Sequence, residues 1–169
     1  MWGEENPHAL VEQDQQSPHI TVWCGLSSRG TIGPYFFQSG RRTVTVTGTR
    51  YKGMLDDFLV PALRRRHIPR RRVWFQQDGA SPHTTSGVLA RLHSLFPEKV
   101  LSKGVRSLGH QGHRTSPRST SFCGGQLKAT VFAQPARSLR QLRARITTAI
   151  RSLPPATLQR AVENLGFRA

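Results

Sequence analysis

The stretch Trp74-Phe75-Gln76-Gln77-Asp78-Gly79-Ala80-Ser81-Pro82-His83 decides how this chain is read. Arg72 to Gln77 has β character and runs directly into Asp78-Gly79, which places the aspartate at a strand end, before a turn, with its carboxylate exposed. Hard oxygen ligands on a rigid element are what phosphodiester chemistry with Mg²⁺ requires. Two metals about 3.5–4 Å apart need two or more carboxylates converging from different elements, so Asp78 is insufficient alone. The plainer reading is a turn residue, because Asp-Gly is among the commonest turn pairs. His83 reads first as a helix-entry residue and only second as a ligand.

Working outward, Ile20 to Leu26 is a short β-prone run, Ser27-Ser28-Arg29-Gly30 has turn chemistry, and Thr31 to Gln38 reads as a second strand that completes a hairpin. Thr43 to Thr47 alternates Thr and Val, the period of a third, half-buried strand. From Tyr51 the period becomes helical, with Met54, Leu55, Phe58, Leu59, Ala62 and Leu63 on one face and Pro61 inside the pattern, where it removes a backbone donor. After Asp78, Thr84 or Thr85 is placed to cap a helix with the buried stripe Val88, Leu89, Leu92 and Phe96. Val100 to Gly125 has neither helical nor strand period and is expected to be disordered. Ser138 then caps a helix with Leu139, Leu142, Ile146, Ala149 and Ile150 on one face; Pro154-Pro155 stops it, and Leu158, Ala161, Val162 and Leu165 open a last one. Three strands, a helix, a strand and a helix make an α/β order that begins with an antiparallel meander.

The chain has 169 residues, enough for one domain, with 25 Lys and Arg against 9 Asp and Glu and a net charge of +16. That balance points to a polyanionic partner such as nucleic acid, since neutralised phosphates release counterions. Arg64, Arg65, Arg66, Arg70, Arg71 and Arg72 are the candidate nucleic-acid-binding residues. The same clusters also read as a nuclear-import signal, or as a solvated helix end and the turn after it. Cys24 and Cys123 give no disulfide framework and no metal-ligand spacing, which suits a reducing compartment. No apolar run reaches the roughly 20 residues of a membrane helix, and the acidic N-terminus is not a signal peptide.

WFQQDGASPHT resembles the second catalytic block of mariner-like transposases of the DDE superfamily, in which an aromatic-rich strand ends in an aspartate followed by Gly or Asn, a small residue and Pro-His. The similarity continues, in order, through WGEENPH (Trp2–His8), TVWCGLSSRGTIGPYFF (Thr21–Phe37), TVTGTRYKGMLDDFLVPAL (Thr45–Leu63) and SLRQLRARITTAIRSLPPATLQRAVENL (Ser138–Leu165). The resemblance implies a ribonuclease-H-like catalytic core, here truncated before its first strand, with C-terminal helices over 138–165. It implies two divalent metals, Mg²⁺ or Mn²⁺, DNA as partner, and cutting and joining at transposon ends in the nucleus, with no membrane and no small-molecule substrate. Of the three acidic ligands it implies, only the middle one transfers, to Asp78.

The first acid of such enzymes lies upstream of the segment resembling WGEENPH, so the opening strand and the DNA-binding modules before it are expected to be missing; Glu4 and Glu5 do not replace it. The third lies in a segment of the type Pro-Arg-Ser-Pro-Asp-Leu-Thr-Pro, which should fall at Gly109 to Lys128, where the chain reads GHQGHRTSPRSTSFCGGQLK. Codons compatible with Leu108 through Cys123, read one nucleotide earlier, can spell that motif, so this stretch reads as out of frame. The lost aspartate would straddle Arg114 and Thr115, and 36 residues separate Thr115 from Asp78, close to the family's spacing. A metal site built from His110, His113 and Cys123 is the alternative for this stretch, and Asp56, Asp57 and Glu98 match no acid position of the family. The expectation is therefore an inactive remnant of a transposase, with a marginally stable fold. The alternatives are a non-catalytic nucleic-acid binder and a module that partners a full-length transposase relative.

Overall fold

Ser27 and Gly30 close the first element. In the computed structural model, which describes residues 19–102 and 127–163, β1 (Val22–Ser27) and β2 (Gly30–Phe36) pair antiparallel, from Val22 opposite Phe36 to Ser27 opposite Gly30. The Ser27 hydroxyl donates to the Gly30 carbonyl at 2.9 Å, and Gly30 takes a φ of 129°, which a side chain would strain. This is the expected hairpin.

Its two faces are covered by different helices. Trp23, Ile32, Tyr35 and Phe37 pack into one apolar cluster, whereas Cys24 and Phe36 pack into another. The alternation follows the pleat, in which successive side chains point to opposite faces. The expected third strand over Thr43–Thr47 does not form. Only β3 (Gln38–Ser39) and β4 (Arg42–Thr43) pair, and Val44 and Val46 pack on the core without a ladder. Thr47 is instead an N-cap, its side chain accepting from the Arg50 N–H at 3.3 Å. A capping bond thus ends the Thr-Val alternation and starts a helix.

That helix is α1 (Gly48–Met54), a π turn (Leu55–Leu59) and α2 (Val60–Arg65) in continuous succession. The π turn accommodates Pro61. A proline inside a regular helix lacks a donor and clashes with the carbonyl four residues back. Here the Val60 N–H reaches back to the Leu55 carbonyl, and the wider turn puts Pro61 in the first turn of α2, where its missing N–H costs nothing. The apolar stripe anticipated from Tyr51 is buried in the core, with Tyr51, Met54 and Leu55 all but inaccessible.

β5 (Phe75–Gln77) follows, then α3 (Ser86–Leu95), whose Val88, Leu92 and Leu95, with Phe96 just beyond, complete the main cluster. Thr85 holds the N-cap position of α3 but its side chain makes no capping bond, and Thr84 bonds back to the Ala80 carbonyl. A further strand, β6 (Val100–Ser102), pairs parallel with β5, Phe75 opposite Val100 and Gln77 opposite Ser102. This corrects the expectation of disorder from residue 100. The run is only three residues long, too short to show a period, and its buried Val100 and Ser102 reveal the strand.

The second cluster belongs to α4 (Leu139–Arg151), which buries Leu142, Ile146, Ala149 and Ile150 against the hairpin, as anticipated. Ser138 caps it, accepting from the Gln141 N–H at 3.2 Å. α5 (Pro155–Glu163) follows, burying Leu158 and Ala161. Residues 127–131 are helical, with Val131 in this cluster. The segment resembling WGEENPH, most of the stretch from Val100 to Gly125 with His110, His113 and Cys123, and Leu165 lie outside the described residues.

α1 and α3 are clamped by Asp56, which accepts from Arg91 Nε at 2.5 Å and from Lys52 Nζ at 3.2 Å. Partial burial pushes the Asp56 carboxyl up, but the bonds from Arg91 and Lys52 outweigh it and hold the group below its ordinary value. A carboxylate with a depressed folded pKa contributes stability that is full above its unfolded value of about 3.9 and is lost as pH falls through the folded one. Asp56→Asn is therefore expected to cost about 0.5–1 kcal/mol at pH 7 in denaturant unfolding, with the difference shrinking below about pH 4. A difference that persists unchanged into acid would show that the charge is not responsible.

Candidate functional site

β5 is short, and side chains hold it in place as much as its ladder does. The Phe75 N–H donates to the Lys99 carbonyl at 2.8 Å, and the Phe75 ring stacks on Phe96 with centroids 5.1 Å apart. The next inward residue, Gln77, uses both ends of its amide. Its Oε1 accepts from the Tyr51 hydroxyl at 3.1 Å, and its Nε2 donates to the His83 carbonyl at 2.8 Å and to Ser102 Oγ at 3.2 Å. Four elements meet there: α1, β5, β6 and the Ser81–His83 turn.

Tyr51 stays a donor across the accessible pH range. Burial drives its phenol far above the ordinary value, a Trp23 hydrogen bond pulls the other way, and the charge of Asp78 adds to the rise. Through that hydroxyl, α1 is bonded to β5.

Asp78 leaves the strand immediately after Gln77 with its side chain about half exposed. Its Oδ1 accepts from the Ala80 N–H at 3.2 Å and lies 2.5 Å from His83 Nδ1, a hydrogen bond when that nitrogen carries the proton. The His83 ring in turn stacks on Tyr51, with centroids 4.2 Å apart. Asp78 thus sits at a strand end, exposed, as the sequence suggests. His83 is more than a helix-entry residue, since it orients the carboxylate. Gln77 and Tyr51 were missed: a polar residue at a strand end and an aromatic at a helix start carry no signal until the fold brings them together.

Among the described residues the other acids do not join Asp78. Asp56 is committed to Arg91 and Lys52, Asp57 is exposed on the π turn, and Glu98 is exposed beyond α3. Among the described residues no three His, Cys, Asp or Glu side chains come close enough to hold a metal ion.

The candidate arginines also lie apart from Asp78. Arg64, Arg65 and Arg66 are exposed at the C-terminal end of α2, fourteen residues of helix beyond Tyr51, which is about 20 Å at about 1.5 Å per residue. Arg70, Arg71 and Arg72 form an exposed turn before β5, whereas Asp78 lies after it. Helix and strand both put the arginines at one pole and the carboxylate at the other.

No family model matches the sequence, and no curated protein matches it significantly. Solved structures do. The fold is like that of the Mos1 transposase catalytic domain. The structure of that domain with raltegravir and Mg aligns with a TM-score of 0.65 at 19% identity, covering 86% of this chain and 69% of that one. The corresponding structure with Mn gives 0.61 at 18% identity, over 86% of this chain and 75% of that one. The crystal structure of the catalytic domain of Mos1 mariner transposase gives 0.61 at 18% identity, over 86% and 74%. The α/β, ribonuclease-H-like architecture expected from the sequence agrees with this likeness.

Replacing Gln77 by Leu strips the Tyr51 hydroxyl and the His83 carbonyl of a partner, and is expected to cost about 1–3 kcal/mol in urea unfolding. Its neighbour Gln76 has an Oε1 that is buried without a hydrogen-bond partner among the described residues, so Gln76→Leu is expected to be neutral or stabilising. Equal losses at the two positions would remove the special role given to Gln77.

Proposed function

We propose that this chain is a degenerate fragment of a mariner-like DDE transposase catalytic domain, from a family whose intact members cut and join DNA at transposon ends with two divalent metals. The observation that carries the reading is Asp78. It stands at the C-terminal end of the β5 strand, in a fold like that of the Mos1 domain, inside the block WFQQDGASPHT that resembles the family's second catalytic motif. On this reading Asp78 is a metal ligand by descent, and DNA in the nucleus is the partner.

The metal itself fits poorly. The Mos1 domain has been solved with Mg and with Mn, but the described residues bring only His83 to Asp78, and two-metal chemistry needs several carboxylates converging. The reading is of an inactive protein whose remaining ligand is kept in place by Gln77 and His83. A frameshift over the stretch ending near Cys123 accounts for the third acid, and the coding DNA tests it, since a single-nucleotide shift should restore the Pro-Asp-Leu-Thr-Pro motif.

Strand cleavage and strand transfer of a transposon end, assayed with Mg²⁺ or Mn²⁺, should give no product above an Asp78→Ala control. Any metal-dependent product that the control lacks would mean that a working site assembles after all.

A second reading, a non-catalytic nucleic-acid binder, rests on the arginine pole. The ion pairs among the described residues engage Lys52, Arg91 and His83, and none engages Arg64–Arg66 or Arg70–Arg72.

A further inference from the structure

The geometry points to a second binding site, a cleft between the hairpin and α2 that takes one unstacked base of a single-stranded nucleic acid and grips its phosphates with Arg65 and Arg66. The cleft has a volume of about 220 Å³ and is lined by Ile32, Gly33, Phe58, Ala62, Arg65 and Arg66.

Its floor is apolar. Ile32 and Ala62 are buried, and Phe58 is half-buried with its ring fixed by two neighbours: edge-on by Trp23, centroids 6.2 Å apart, and at a tilt by Tyr35, 5.2 Å apart. A ring clamped in this way offers a contact surface with little rotamer entropy left to lose. The rim is cationic. Arg65 and Arg66 are exposed, and within the described residues no side-chain hydrogen bond or ion pair engages either guanidinium. Arg66 leans over the hairpin tip, its Nη1 3.9 Å from where a side chain on Gly30 would begin, next to exposed Arg29. The nearest acid on the helix, Asp57, lies eight residues before Arg65, about 12 Å along the axis, too far to neutralise the rim.

An apolar floor under uncompensated guanidinium groups calls for a ligand with a flat face and anionic oxygens. Arginine forks match phosphate geometry, and bases stack or pack on apolar and aromatic surfaces. The cleft is smaller than the roughly 300–1,000 Å³ of pockets for drug-sized ligands, which suits a single base held by a backbone that continues outside. Duplex DNA hides the faces of its bases, so a single strand is the form that fits. Along the helix the cleft runs from Phe58 to Arg66, about 10 to 22 Å beyond Tyr51, and it does not depend on the metal reading.

The test uses the full chain in EDTA and fluorescence anisotropy with an oligothymidine about 15 nucleotides long, beside an abasic strand of equal length and charge. The intact strand should bind at least about fivefold tighter than the abasic one, and Phe58→Leu should remove that preference. The double variant Arg65→Ala, Arg66→Ala should lose about tenfold in affinity. The charge-matched Arg41→Ala, Arg42→Ala, in the exposed turn and strand of the separate β3–β4 pair, should stay within about twofold of the parent. Equal binding of intact and abasic strands, or equal losses in the two double variants, would reduce the cleft to part of a diffuse basic surface and overturn the proposal.

Discussion

The amide of Gln77 joins four elements that backbone pairing alone does not join. β5 and β6 share only three register pairs, the hairpin is a separate two-stranded sheet, and isolated two-stranded sheets are marginal in water. Gln77 binds Tyr51 from α1, Ser102 from β6 and the carbonyl of His83 from the turn after Asp78. Each partner is itself constrained: Tyr51 by near-complete burial, Ser102 by its place in the ladder, and His83 by stacking on Tyr51. Asp78 owes its fixed position to this arrangement, because the residue before it cannot move without leaving buried polar groups unpaired, which costs more than the bonds themselves contribute.

The helices divide the work of burial. α1, α2 and α3 close one face of the hairpin and surround β5 and β6, whereas α4 closes the opposite face with a narrower stripe. α4 also binds through its polar edge: the Arg143 guanidinium lies 5.6 Å from the Phe36 ring centroid and the side chain bonds to Gln38. Charge is distributed along the same axes. The carboxylate lies near the N-terminal end of the α1–α2 helix and the arginines at its C-terminal end, where they also complement the helix dipole. A nucleic-acid strand touching both poles would span about 20 Å, or about six base steps at about 3.4 Å each.

Much of this architecture was legible in the sequence because it rests on period and punctuation. The hairpin followed from turn residues between β-prone runs, α4 from its stripe and Ser138 cap, and the exposed strand-end position of Asp78 from the Asp-Gly step. What stayed hidden was tertiary. The Thr-Val alternation at Thr43–Thr47 satisfied a strand pattern, yet Thr47 gained more as a helix cap. Pro61 looked like an interruption until a π turn absorbed it. β6 was too short to show a period, and its pairing with β5 depends on α3 bringing distant residues side by side. Gln77, Tyr51 and His83, which hold the position of Asp78, are 26 and 6 positions apart, separations with no meaning before folding.

Amide hydrogen exchange measured residue by residue on the intact chain tests most directly whether this core exists around Asp78. The slowest-exchanging amides should be those of α1, the buried stripe of α3, and Phe75 to Gln77 with their β6 partners, well below the exposed β3–β4 turn in rate. Exchange in β5 and β6 as fast as in that turn would contradict the claim that the strand carrying Asp78 is locked by its buried amide.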